Sequence, residues 1–117
     1  MAKNNSESPI CSLDYAFRKI GGKYKGRTLF YIYNENNVLR YGELKRLLQN
    51  ITSKMLTQTL RELEKDQLIN RKVYREVPPK VEYSLTETGM ELIPFIEHLR
   101  KWGEKQMQEE NLKPKAQ

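Results

Sequence analysis

The chain has 117 residues, 38% of them hydrophobic and 31% charged, which supplies one modest core and too little apolar material for two domains. A mean hydropathy of −0.81, with charges spread throughout, leaves no run of about 20 apolar residues and excludes a transmembrane helix. The formal net charge of +6 is unevenly placed, with 16 Lys and Arg against 8 Asp and Glu in residues 1–80 and 5 against 7 in residues 81–117, a balance that suits a polyanionic partner and equally suits plain solubility.

Residues 1–10 are polar, with no apolar run after Lys3, so they read as a tail rather than a secretory signal and point to a cytoplasmic protein. A single cysteine, Cys11, excludes an intrachain disulfide. Leu13, Ala16, Phe17 and Ile20 fall at i, i+3, i+4 and i+7 after a capping Ser12, predicting a short helix that Gly21 and Gly22 end. Tyr24 to Tyr33 predicts a second helix, in which Leu29, Ile32 and Tyr33 share a face, and Asn34 to Asn37 form a polar turn. After an extended stretch at Val38 to Arg40, Tyr41 to Leu48 predicts a third helix with Leu44, Leu47 and Leu48 as its apolar face. Gln49 to Thr52 is then a connector of helix-turn-helix length, with Thr52 or Ser53 placed to cap the next helix.

Ser53 to about Gln67 is the most informative segment. At 100° per residue Leu56, Leu60 and Leu63 point one way, while Lys54, Thr57, Gln58, Arg61 and Lys65 form an arc on the opposite side with no carboxylate near the helix start. Such a face is either simply solvated or turned toward a ligand. Leu68 to Glu76 and Lys80 to Leu85 predict two antiparallel strands around Val77-Pro78-Pro79, a wing that carries Arg71, Lys72, Arg75 and Lys80. These cations suit phosphates beside a groove, and they also suit protection of an edge strand. A long last helix starts near Thr86, with Pro94 expected in its first turns or at a kink. Its stripe of Leu92, Ile93, Phe95, Ile96, Leu99 and Trp102 is wider than contact with one small domain requires. Together with the first helix it predicts a dimer interface of Leu13, Phe17, Leu92, Ile96, Leu99 and Trp102, the alternative being that both helices close the monomer core. Residues 111–117 read as a second tail, leaving 11–110 as the domain.

The inventory of reactive groups argues against an enzyme. One Cys and one His, His98, cannot assemble a metal site, and Gly21-Gly22-Lys23 lacks the strand and the glycine spacing of a phosphate loop. No cofactor is expected. Cys11 precedes a helix whose free amides favour a thiolate, with Arg18 and Lys19 within two turns; it is either a reactive thiol or a small packing residue.

Four stretches occur in order: Gly21-Gly22-Lys23-Tyr24, Arg40-Tyr41-Gly42-Glu43-Leu44, Lys54 through Glu64, and Val77-Pro78-Pro79-Lys80 through Thr86. In this series the chain resembles the HxlR family of bacterial and archaeal regulators from Cys11 to about Trp102. The resemblance implies a mainly α fold with a small β-hairpin, a winged helix-turn-helix with extra N- and C-terminal dimerisation helices. It also implies a homodimer that binds double-stranded operator DNA, with Ser53 to Gln67 in the major groove and the wing along the backbone, as a repressor or activator. The side chains expected at DNA are Arg40, Ser53, Lys54, Thr57, Gln58, Arg61, Arg75 and Lys80. The family commonly has Trp where this chain has Tyr24. Some members that sense electrophiles or oxidants use a cysteine at the position of Cys11, whereas others carry it without that role, so an oxidant or a small molecule is a candidate effector. The rival from a different class is a winged-helix module that docks a protein and binds no specific DNA; a steep fall of duplex affinity with salt separates the two.

Overall fold

The computed structural model describes residues 8–115, so residues 1–7 of the expected N-terminal tail and 116–117 of the C-terminal one lie outside the described residues. The elements are α1 (Ser12–Ile20), α2 (Lys25–Asn34), β1 (Leu39–Arg40), α3 (Tyr41–Leu48), α4 (Ser53–Lys65), β2 (Ile69–Tyr74), β3 (Lys80–Leu85) and α5 (Glu87–Glu109).

Strands β2 and β3 form the expected hairpin, in the register Ile69 with Leu85 and Tyr74 with Lys80. The extended stretch before α3 adds a third, antiparallel strand, since Leu39 pairs with Tyr83 and Arg40 with Glu82, giving the order β1-β3-β2. Two residues are too few for an alternating pattern, which is why the sequence shows an extended segment there without a partner.

Helices α2, α3 and α4 meet through Leu29, Ile32, Leu44, Leu48, Leu56 and Leu63, all without solvent exposure. Ile69, Tyr83 and Leu85 of the sheet and Ile93 of α5 close this core. Helix α4 is therefore anchored along its leucine face, and its opposite face is left to solvent.

Local chemistry sets the ends of α4. Thr52, rather than Ser53, is the cap, its Oγ1 accepting from the Met55 amide at 3.0 Å. The helix stops at Lys65 because Gln67 turns into the left-handed region at φ 60°. There the Leu68 amide donates to the Leu63 carbonyl and the Gln67 amide to that of Glu64, both at 2.9 Å. Helix α1, by contrast, departs from its expected cap: Cys11 occupies the cap position and Ser12 is already helical.

Helix α5 is tied to this same corner. Thr86 Oγ1 accepts from the Gly89 amide at 2.9 Å and donates to the Gln67 carbonyl at 2.7 Å. A Cβ at Gly89 would run into the Leu68 carbonyl oxygen, so only glycine lets α5 approach the chain this closely. Pro94 lies inside α5, beyond its first turn; the amide that would bond the Met90 carbonyl is missing there.

Candidate nucleic-acid interface

Between α3 and α4 the chain reverses at Gln49 and Asn50, both with positive φ (40° and 55°). A side-chain tie fixes the two helices beyond this turn. The Tyr41 hydroxyl donates to the Ser53 carbonyl at 3.0 Å and lies 3.2 Å from Thr57 Oγ1. A phenol has one proton to donate, and the Ser53 carbonyl takes it, so Thr57 is the donor in the second contact. Tyr41 is a site residue that the sequence reading misses; its partners lie 12 and 16 residues away, across a turn, where helical spacing carries no signal.

The outward surface of α4 brings together five of the eight side chains expected at DNA. Ser53, Lys54, Thr57, Gln58 and Arg61 line one open concavity, joined by Glu62 and Lys65. Beside it, Thr57 and Arg61 share a second groove with Tyr41, Glu64, Arg71 and Tyr83, which sets a cation of β2 next to the helix. Glu62 is the acid that lines the first concavity, and both its oxygens are engaged. Oε2 accepts from Gln58 Nε2 at 3.0 Å and Oε1 pairs with Lys25 Nζ at 3.0 Å. The Gln58 hydrogen bond first, and then Lys25, hold the Glu62 carboxyl below the ordinary carboxylate range.

The other three expected residues stand apart. Arg40 precedes α3, exposed, with its amide donating to Glu43 Oε1 at 2.8 Å. Arg75 is exposed beyond the end of β2 and makes no ion pair among the described residues. Lys80 is turned onto its own hairpin. It opens β3, sits over the Tyr74 ring at 4.2 Å and lies 3.9 Å from Glu82 Oε2. Lys72 also joins this cluster, 4.8 Å from the Tyr74 ring, and the Tyr74 hydroxyl donates to Glu82 Oε1 at 2.9 Å. Two wing cations are thus partly engaged in holding the hairpin.

The two terminal helices carry the exposed apolar surface. Helix α1 has no buried residue, and Leu13 and Phe17 are 62% and 56% exposed. On α5, Phe95, Leu99 and Trp102 recur at i, i+4 and i+7 and are 70%, 59% and 59% exposed. Leu92 and Ile96, expected in the same interface, are half-buried against the chain's own core. Lys19 ties α1 to the end of α4 through Asp66 at 3.0 Å, and the Lys25 ammonium donates to the Arg18 carbonyl at 3.4 Å. The Cys11 thiol is exposed, and the backbone amides of Asp14 and then Leu13 lower its pKa from the ordinary thiol value. Among the described residues no group of three His, Cys, Asp or Glu could hold a metal ion, and no helix is long and apolar enough to cross a membrane.

A polar, cation-rich helix held outward by its leucine face, with a preceding helix across a tight turn and a β-hairpin beside it, defines a winged helix-turn-helix DNA-binding regulator. The chain belongs to the HxlR-like helix-turn-helix family, whose model matches residues 19–111. It is 50% identical over 93 residues to the uncharacterized HTH-type transcriptional regulator YkvN of Bacillus subtilis, a match covering 80% of this chain and 77% of that one. Among solved structures it is similar to the redox regulator HypR in its oxidized form, at 43% identity and a TM-score of 0.77, over 81% of this chain and 96% of that one. It is also similar to the reduced form of the transcriptional regulator YodB of B. subtilis, at 28% identity and a TM-score of 0.70, over 83% and 94%.

Proposed function

We propose that the protein acts in the cytoplasm as a homodimer that places α4 in the major groove of an operator and lays its wing along the flanking backbone. The carrying observation is the separation of α4 into a buried face of Leu56, Leu60 and Leu63 and an outward face of Lys54, Thr57, Gln58 and Arg61. Gln58 and Arg61 have the forked groups that pair with adenine and guanine edges. Alanine at either position should cost about 1 to 3 kcal/mol on the specific duplex and relax preference at one base pair, with little effect on random duplex. Titration of each variant on both duplexes at several salt concentrations is the test. Equal losses on both would remove α4 from base reading, and affinity that ignores salt would favour a protein-docking module instead.

A second reading, response to oxidants at Cys11, has its own support in the exposed, acidified thiol and in the likeness to the redox regulator HypR. Oxidation here joins two thiols as a disulfide between two copies, with two electrons and two protons passing to the oxidant. Mild peroxide should then change operator affinity in the parent and leave Cys11→Ser unaffected. A parent and variant that bind alike under both conditions would make Cys11 a structural residue.

A further inference from the structure

We propose that Lys25 and Glu62 are a positioning pair behind Gln58, fixing the direction of its side-chain amide and so the base it prefers. The inference rests on α4 being the recognition helix and concerns how one of its residues is set.

Each member of the pair stands where its local surroundings disfavour it. Lys25 is the first residue of α2, at the positive end of the helix dipole, and no acid accompanies it in that turn. Glu62 lies on the face of α4 shared with Lys54, Arg61 and Lys65, where a carboxylate opposes approaching phosphates. Lys25 also donates to the Arg18 carbonyl at 3.4 Å, and its contact with Glu62 is the one ion pair either residue makes among the described residues. Lys25 Nζ is 3.0 Å from Glu62 Oε1, and the other oxygen, Oε2, accepts from Gln58 Nε2 at 3.0 Å. With each oxygen occupied, the carboxylate has one orientation.

Gln58 inherits that orientation. A free glutamine can flip its amide and exchange donor for acceptor. With one N–H directed to Glu62, Gln58 keeps its second N–H and its Oε1 in a fixed order. Adenine asks for this set in the major groove, a donor to N7 and an acceptor for the N6 amino group. The pair therefore removes the flipped state before DNA arrives, in the way an outer ring of hydrogen bonds preorganises a binding residue.

The test uses the full chain. A duplex library with randomised bases is selected with the parent, Gln58→Ala, Glu62→Ala, Glu62→Gln, Lys25→Met and Lys25→Arg. Each protein is then titrated on the selected duplex with all four bases at the position that Gln58→Ala alters. The parent should prefer adenine there. Glu62→Ala should reduce that preference by about fivefold or more, the lower end of what one side-chain-to-base pairing contributes. Lys25→Met should reduce it at the same base pair, Lys25→Arg should retain it, and Glu62→Ala should add nothing in the Gln58→Ala background. Affinity for random duplex should hold or rise in Glu62→Ala. Should that variant fail to fold, Glu62→Gln and Lys25→Met carry the same comparison. A preference that survives Glu62→Ala and Lys25→Met but is lost in Gln58→Ala overturns the pair and leaves the recognition helix standing. A change at a different base pair in Glu62→Ala overturns it too, because Glu62 then reads a base itself. If Gln58→Ala alters no position, base reading by Gln58 fails and the proposal fails with it.

Discussion

At the scale of single residues, charge alone misjudges what a cation can do, because a cation already paired within the protein neutralises less of the DNA. The wing shows this. Lys80 shares Tyr74 with Lys72 and approaches Glu82, whereas Arg75 is exposed and makes no ion pair among the described residues. A side chain at a phosphate releases counterions and contributes about one unit to the slope of log affinity against log salt. Arg75→Ala should therefore flatten that slope by about one unit, equally on operator and random duplex, and Lys80→Ala should flatten it less. A larger effect for Lys80→Ala in the same salt titrations would mean that the Tyr74 cluster opens on binding and frees its lysines. The polar arc of α4 is legible in the amino-acid sequence because five residues at helical spacing announce a face. The surroundings of Lys80 are not, because they depend on Tyr74 across the hairpin and on Glu82 along the strand, and the spacing of residue types does not report which cations such neighbours engage.

Elements raise a different question, namely what holds α4 at its place beside the wing. The answer lies at the junction of α4, β2 and α5, where Thr86 bonds both the Gly89 amide and the Gln67 carbonyl and Gly89 abuts Leu68. Gly89→Ala should force the start of α5 away from Leu68 and cost about 1 to 3 kcal/mol, as overpacking usually does. Thr86→Ala should cost about 0.5 to 2 kcal/mol through the lost cap. Denaturant unfolding measures both, and a Gly89→Ala protein as stable as the parent would show that this contact relaxes freely. Most of these elements are legible in the sequence. The third and fourth helices, β3 and the start of the last helix follow from apolar spacing and caps, and they lie where those rules place them. Boundaries differ where a backbone conformation decides the matter. Nothing in the residue types marks Gln67 as left-handed, since glycine or asparagine is the usual signal. At the end of α5, by contrast, Asn111 takes the same conformation at φ 62°.

For the whole molecule, the apolar surface of the terminal helices is the feature that a single chain leaves unexplained. Helix α5 carries two stripes. Gly89, Ile93 and Ile96 face the chain's own core, and Phe95, Leu99 and Trp102 face away from it. Leu92 and Ile96 thus pack within the monomer, while the outer stripe and the Leu13 and Phe17 face of α1 stay exposed in the single chain. Large exposed side chains in a continuous stripe signal an interface, and a second copy offers the same stripe in return. Burial of one such side chain contributes at most about 1.5 to 3 kcal/mol, and association first has to offset about 4 kcal/mol or more of lost freedom, so a stable dimer has to cover the stripes of both helices rather than a pair of side chains. A charge at the centre should undo it. We expect the parent to sediment as a dimer and Leu99→Glu as a monomer at the same concentration. Because Leu99 is exposed in the single chain, the far-ultraviolet circular dichroism of Leu99→Glu should be retained. Its operator affinity should fall steeply, since one half-site must then be bound without the other. A parent that sediments as a monomer at micromolar concentration would assign the outer stripe to some other partner, and a Leu99→Glu protein that remains a dimer would move the interface away from α5.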